Sequence, residues 1–320
     1  MRYRRLGRSG LAVSVVGLGC NNLGHRIPDA QAERVVNAAI DAGITLFDVA
    51  DSYGRPDIGS AEVALGKALG LRRSEVLVAT KFGSDVGDLN GPAWDARGAR
   101  RYVRRAVQSS LSRLGTDWID LYQLHKPDPL TPIEETLSVL DDLIREGLVR
   151  YVGSSNLAGW QITDADWVAR TGGFEPFVSA QNHYSLLERG IEAEVVPACE
   201  HAGVGILPYF PLANGLLTGK YARGREPADG TRLAAHRSYL TEERFDTVER
   251  LQAFASARGV TLVDVAIGGL AAQPTVASVI AGATTADQVR ANAAAGQWEP
   301  ELPDLTELDL ITAGPAAGST

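Results

Sequence analysis

ITLFDVADSYG, residues 44–54, begins as an apolar run and ends as a polar loop. Ile44 to Phe47 reads as a short buried strand, Asp48 stands at its end, and Tyr53 follows in a loop with Gly54. Two more apolar runs finish in the same way: Val76 to Thr80 stops at Lys81, and Ile119 to Leu124 stops at His125. If the three runs are neighbouring parallel strands, a carboxylate, a phenol, an ammonium and an imidazole emerge at one end of one sheet. Strand C-termini are where α/β barrels keep their chemistry, and such a set can supply a tuned proton donor.

Outward from this segment, short apolar runs alternate with longer amphipathic stretches, the pattern of repeated βα units. The candidate strands are Val15–Leu18, Ile44–Phe47, Val76–Thr80, Ile119–Leu124, Val149–Gly153, Val178–Gln181, Gly205–Pro208 and Val276–Ile280. Eight such units give a (β/α)8 TIM barrel. Tyr3 to Leu6 and Ala12 to Ser14 flank a Gly7-Arg8-Ser9-Gly10 turn, an N-terminal β-hairpin that would plug the barrel's lower end. The last interval is the longest. It holds a Gly/Pro/Arg-rich stretch, Pro211 to Ser238, and two helical patterns, Thr241 to Arg258 and Thr261 to Ala272. The first reads as an active-site loop and one of the helices as an addition near the C-terminus. Residues 1–313 are expected to form one domain, and 314–320 a frayed tail.

Composition narrows the function. A chain with 45% hydrophobic and 22% charged residues can bury a large core, and a net charge of −8 opposes contact with phosphate backbones. Arg97, Arg100, Arg101, Arg104 and Arg105 follow helical spacing and read as a solvated face. Cys20 and Cys199 form no CxxC pair, and His25, His125 and His183 show no HxH or HExxH spacing, so no metal site is indicated. The basic N-terminus lacks the apolar stretch of a signal peptide, and no run of about 18 apolar residues occurs, so a soluble cytoplasmic protein is expected, with no membrane partner.

A free phenol, with a pKa near 10, is a poor acid at neutral pH. A lysine ammonium in hydrogen-bond reach would favour phenolate and lower that value, which makes Lys81 the natural partner of Tyr53. Asp48 would supply the counter-charge for Lys81. Singly, a strand-end Asp is often a helix cap and a strand-end Lys often exposed; together on consecutive strands they point to a site.

The chain resembles the aldo-keto reductases. The resemblance rests on GLG at 17–19, FDVADSYG at 47–54, ATKFG at 79–83, LHKPDP at 124–129, GSSN at 153–156, QNHYS at 181–185, PLANGLLTGKY at 211–221 and IAGATTADQVRAN at 280–292. It implies NAD(P)H-dependent reduction of an aldehyde or ketone, with Tyr53 as general acid, Lys81 and Asp48 tuning it, and His125 orienting the carbonyl. By the same resemblance Ser155, Asn156 and Gln181 would hold the nicotinamide carboxamide, and Tyr209 would stack on its ring. Leu212, Gly215 and Lys220 would meet the pyrophosphate, with Arg232 as a further candidate, and Gly282, Thr284, Gln288 and Asn292 would hold the adenosine end.

Family members often place a lysine and an arginine where this chain has Gly282 and Gln288, and a glutamate where it has Ala291. The resemblance implies NADP(H) as the cofactor; these departures leave NAD(H) possible, with Arg290 a candidate to compensate. GA at 282–283, in place of a lysine-serine pair, resembles the branch that includes the potassium-channel β subunits and many bacterial reductases, and the bacterial members fit better because no long extension precedes the hairpin. The substrate, a small carbonyl compound of polar or mixed character, would meet Cys20, Asn21, Trp94, Tyr184 and Phe210, with Asn22 and His25 nearby. Two other readings stand beside the reductase: a nicotinamide-binding redox sensor or regulatory subunit with slow turnover, and a barrel lyase or isomerase using Lys81 as a Schiff-base nucleophile. Substrate identity, reaction direction and oligomeric state are not legible.

Overall fold

A computed structural model describes residues 1–92, 94, 96–228, 231–234 and 236–313. Strands β1 (Tyr3–Arg5) and β2 (Ala12–Ser14) form an antiparallel hairpin. They are followed by β3 (Val16–Gly19), β4 (Leu46–Asp48), β5 (Leu77–Phe82), β6 (Ile119–Leu124), β7 (Val149–Ser155), β8 (Ser179–Gln181), β9 (Gly205–Ile206) and β10 (Val279–Gly282). These eight are parallel in the order β10-β3-β4-β5-β6-β7-β8-β9. Parallel bridges from Ile206 to Val276 and from Tyr209 to Ile280 join the two edges, so the sheet curls into the expected (β/α)8 barrel.

The outer layer consists of α1 (Asp29–Asp41), α2 (Ser60–Leu69), α3 (Arg100–Leu114), α4 (Ile133–Arg145), α5 (Gly159–Gly172), α6 (Val195–Ala202), α7 (Glu242–Ala257), α8 (Leu262–Ala271), α9 (Ala286–Ala295) and α10 (Leu302–Thr312). Thr241 and Thr261 cap α7 and α8 through their hydroxyls, which stops each helix where the sequence suggests. Asp29, read from sequence as standing ahead of a helix, is the first residue inside it, because Pro28 takes the cap position. No single helix among the described residues is long and apolar enough to cross a membrane.

Strand alternation sorts the side chains. Leu46, Ala79 and Leu121 point into the barrel, where they meet Leu6, Leu11 and Val13 of the hairpin in one buried cluster. That apolar plug closes the lower end. Phe47, Val78 and Tyr122 point outward into the larger core shared with the helices. Gly7 makes the hairpin's approach possible: at φ +55° its place for a Cβ lies 2.6 Å from the Gly203 carbonyl oxygen, so any side chain would push the plug away. Two residues beyond the apolar layer, the same inward face of β4, β5 and β6 carries Asp48, Lys81 and Gln123, with Lys81 paired in register with Gln123. A polar layer therefore caps the apolar one at the C-terminal end of the strands.

Candidate active site

Above that polar layer opens a cleft of about 690 Å³ lined by Asp48, Tyr53, His125 and the ends of β7, β8 and β10. Lys81 lies wholly buried beneath it. Its ammonium donates to Asp48 Oδ2 at 2.8 Å, to the Val49 carbonyl at 2.9 Å and to the Tyr53 hydroxyl oxygen at 3.2 Å. An ammonium has three N–H groups, and here all three are used. Burial pulls the Lys81 pKa down, yet Asp48 and Tyr53 more than offset it, so the net direction is upward and the charge is held.

Asp48 is in turn pinned by two amides: its Oδ1 accepts from Gln181 Nε2 at 2.8 Å and from Gln123 Nε2 at 3.5 Å. The Gln181 backbone carbonyl accepts from the Ser155 hydroxyl at 2.7 Å, Ser155 Oγ accepts from Asn156 Nδ2 at 3.0 Å, and Asn156 Oδ1 accepts from the Tyr209 hydroxyl at 2.8 Å. One continuous network thus runs from β4 round the barrel mouth to Tyr209, three residues past β9. Asn156 also donates to the His125 carbonyl at 2.9 Å, which fixes the backbone of the imidazole, and it does so in a left-handed conformation that asparagine tolerates.

The Tyr53 phenol is pushed up from its ordinary value, because burial outweighs the pull of Lys81, with Asp48 adding to the rise. This reverses the direction expected from sequence: the ammonium is in reach, but the desolvation that comes with a barrel mouth is the larger effect. The hydroxyl keeps its proton at neutral pH. His125 sits edge-on to Tyr53 with ring centroids 5.9 Å apart, and burial, then Lys81 and Lys126, lower its pKa to about 3, so the ring is neutral. Ser52 Oγ lies 3.4 Å from Nδ1; with that hydroxyl donating, the ring's single proton resides on Nε2.

Apart from Arg232 and Arg290, the residues proposed for a dinucleotide line the cleft: Ser155, Asn156, Gln181 and Tyr209, then Leu212, Gly215 and Lys220, and Gly282, Thr284, Gln288 and Asn292. Tyr209 stacks on His183 with centroids 5.3 Å apart and planes 9° apart, which locks the plane of a ring that faces the cleft. Phe210, Ala213 and Asn214 have positive φ, and Gly215 follows at +95°; non-glycine residues hold such angles only where the surroundings outweigh the strain. At Gly215 a Cβ would stand 3.1 Å from Lys220 Nζ, so glycine leaves the room that brings this ammonium against the turn. Gln288 Oε1 accepts from the Thr284 amide and hydroxyl at 2.8 and 3.0 Å, a brace that shapes the end of the cleft.

Not every residue named from sequence lies here. Asn21 and Phe210 line the cleft, but Cys20 is wholly buried below it with its thiol pushed up by burial. Trp94 is 67% exposed and packs under the Arg101 guanidinium, 4.7 Å from its ring centre, outside the cleft lining. Tyr184 is buried and donates to Glu192 Oε1 at 2.7 Å, also outside the lining. Arg290 is exposed, paired with Asp287 and outside the cleft lining. The Arg232 side chain and residues 314–320 lie outside the described residues. Sequence reading missed Gln123, Ser52 and Arg26. Gln123 could have been found as a polar residue at an inward position of an apolar strand; Arg26, a cleft-lining guanidinium in the loop after β3, carries no such signal.

Comparison with known proteins agrees with this geometry. The model of the aldo/keto reductase family matches residues 15–309. The chain is 37% identical to the uncharacterized oxidoreductase YrpG of Bacillus subtilis (strain 168), over 98% of this chain and 97% of that protein. It is 36% identical to a probable voltage-gated potassium channel subunit beta of Oryza sativa subsp. japonica, over 91% and 90%, and 32% identical to versiconal hemiacetal acetate reductase of Aspergillus parasiticus, over 90% and 90%. With family model, barrel and full-length relatives in agreement, this chain belongs to the aldo/keto reductase family of oxidoreductases.

Proposed function

We propose that the protein reduces an aldehyde or ketone to an alcohol with NADPH as preferred cofactor, Tyr53 giving the proton. The observation that carries this reading is the saturation of Lys81. Because the Tyr53 oxygen already accepts a hydrogen bond from the ammonium, its own O–H is left to donate into the cleft.

A reduced nicotinamide, when bound, supplies the hydride. As negative charge builds on the substrate oxygen, the Tyr53 hydroxyl and the His125 Nε2–H are two preorganised donors at the cleft floor. Proton transfer from Tyr53 leaves a phenolate whose charge is met at once by Lys81, and Asp48 keeps that lysine charged. Gln181 turns one side-chain N–H to Asp48, so its side-chain carbonyl remains for a carboxamide, and Ser155 and Asn156 stand next to it. Arg26 in the lining supports a preference for a 2′-phosphate, since a guanidinium suits a phosphate dianion. The mixed lining of Asn21, Asn22 and Phe210 suits a carbonyl compound of mixed polarity.

A Schiff-base role for Lys81 is opposed by its burial and its held charge, because only a neutral, accessible amine attacks a carbonyl. The test is oxidation of NADPH, then NADH, over a panel of aldehydes, ketones and sugars, with Tyr53→Phe alongside. That variant keeps the ring and loses the hydroxyl that gives the proton; turnover falls by about 10²- to 10⁴-fold with nucleotide affinity unchanged. Equal turnover in the variant would remove Tyr53 from the role.

A further inference from the structure

Between β5 and the helices outside it runs a buried polar chain that the proposed reaction does not use. It begins two residues ahead of Tyr53 at Asp51, which is wholly buried and whose own amide donates to the Lys81 carbonyl at 3.3 Å. Asp51 Oδ2 accepts from Asn90 Nδ2 at 2.8 Å, and Asn90 Oδ1 accepts from both terminal nitrogens of Arg113 at 3.3 Å. Arg113 Nε donates to Glu62 Oε2 at 2.6 Å, and Glu62 Oε1 accepts from the Thr80 hydroxyl at 2.6 Å. Thr80 precedes Lys81 and, by strand alternation, points to the opposite face of β5. The chain therefore ties the turn that carries Tyr53 to the strand that carries Lys81.

It holds two carboxyls against one guanidinium, out of water. Glu62, with Arg113 and Thr80 on its two oxygens, is the one suited to be the anion. Asp51 Oδ1 is buried with no hydrogen-bond partner among the described residues, a condition a neutral carboxyl bears at far less cost than a carboxylate. Burial first, then Glu62, pushes the Asp51 carboxyl up to about 8, against Arg113, Asn90 and Lys81. The other groups facing this cluster are the Tyr102 and Tyr122 phenols, both pushed up by burial and so neutral, and the Arg97 guanidinium on the Tyr102 side.

We propose that Asp51, in its neutral form, is a positioning residue for the reaction: hung on Asn90 and the Arg113–Glu62 pair, it sets the turn that places the Tyr53 hydroxyl on Lys81. Loss of its proton puts a second buried negative charge beside Glu62 and loosens that turn. The inference rests on Tyr53 acting as the acid. Burial holds the Tyr53 phenol above its ordinary range, Asp48 and Tyr53 hold the Lys81 ammonium above its own against the pull of burial, and burial holds His125 far below neutrality, so none of the three accounts for a change near pH 8.

The experiment is the pH profile of kcat for wild type, Asp51→Asn and Asp51→Ala, with nucleotide affinity read by fluorescence titration. Wild-type kcat falls as pH rises through about 8. Asp51→Ala lowers kcat by about a hundredfold at every pH, as a misplaced acid does, with nucleotide affinity unchanged. Asp51→Asn, which can still accept from Asn90 and never ionises, restores turnover and abolishes the alkaline fall. An alkaline fall retained in Asp51→Asn, or full turnover in Asp51→Ala, overturns the inference.

A second readout needs no turnover. An acid whose folded pKa lies above its unfolded value of about 3.9 favours folding below that value, and the advantage is lost as pH climbs to about 8. The melting temperature of wild type should therefore drop relative to Asp51→Asn across that window, and parallel curves would also overturn the inference. A wild type that reduces no carbonyl but shows this divergence would instead defeat the reductase reading while leaving the protonation of Asp51 established.

Discussion

Replacing Lys81 by methionine separates what the buried ion pair does for the fold from what it does for the chemistry. Lys81 is wholly buried and Asp48 is 2% exposed. Without the ammonium, the Asp48 carboxylate keeps only the Gln181 and Gln123 amides, and the Val49 carbonyl loses its donor. Breaking a buried pair from one side costs about 3–5 kcal/mol, since an uncompensated charge stays behind. For a domain of this size that lowers the melting temperature by about 5–8 °C. Asp48→Asn alone leaves the opposite charge stranded and carries a similar cost. In the double variant both charges are gone, so its loss should fall short of the sum by at least about 2 kcal/mol. Turnover behaves otherwise: Lys81→Met removes the partner of the Tyr53 oxygen and should cost about 10²- to 10⁴-fold in kcat, and the double variant does not recover it. Thermal and denaturant unfolding followed by circular dichroism, together with nicotinamide oxidation rates, read the two halves of the cycle. A single variant with near wild-type stability, or a double variant with restored turnover, would refute the reasoning.

His125 should make the protein acid-sensitive. Its folded pKa of about 3 lies below the unfolded value, so the stability present above about pH 6.5 is lost as pH falls towards the folded value. The slope approaches about 1.4 kcal/mol per pH unit over that window and should be absent in His125→Gln, as unfolding free energies at a series of pH values would reveal. Arg26→Leu should weaken NADPH binding by about tenfold or more while changing NADH little, since only the former carries a phosphate for a guanidinium to meet; equal losses for both nucleotides in titration calorimetry would remove Arg26 from that role.

Much of the site is legible before any coordinates. Inward positions recur every second residue in a strand, so the placement of Asp48 and Lys81 two residues beyond Leu46 and Ala79 on one face follows from strand periodicity once the runs are read as strands. Loop residues have no such rule. Cys20, Asn21, Trp94 and Tyr184 all stand in loops after strand ends, and only Asn21 lines the cleft. Arg290 and Arg26 are indistinguishable as arginines in a string; the loop after β3 brings Arg26 into the cleft lining, and Arg290 stands outside it. The barrel, its hairpin plug and the Asp48–Lys81 part of the polar layer can be read from the residues alone, because periodicity is a local property of the chain. That burial raises the Tyr53 phenol rather than letting Lys81 acidify it, and that Asp51, Glu62 and Arg113 share one dry space, emerges only when the chain is packed. Desolvation and charge coupling depend on everything packed around a group, and distant segments of the chain supply most of it.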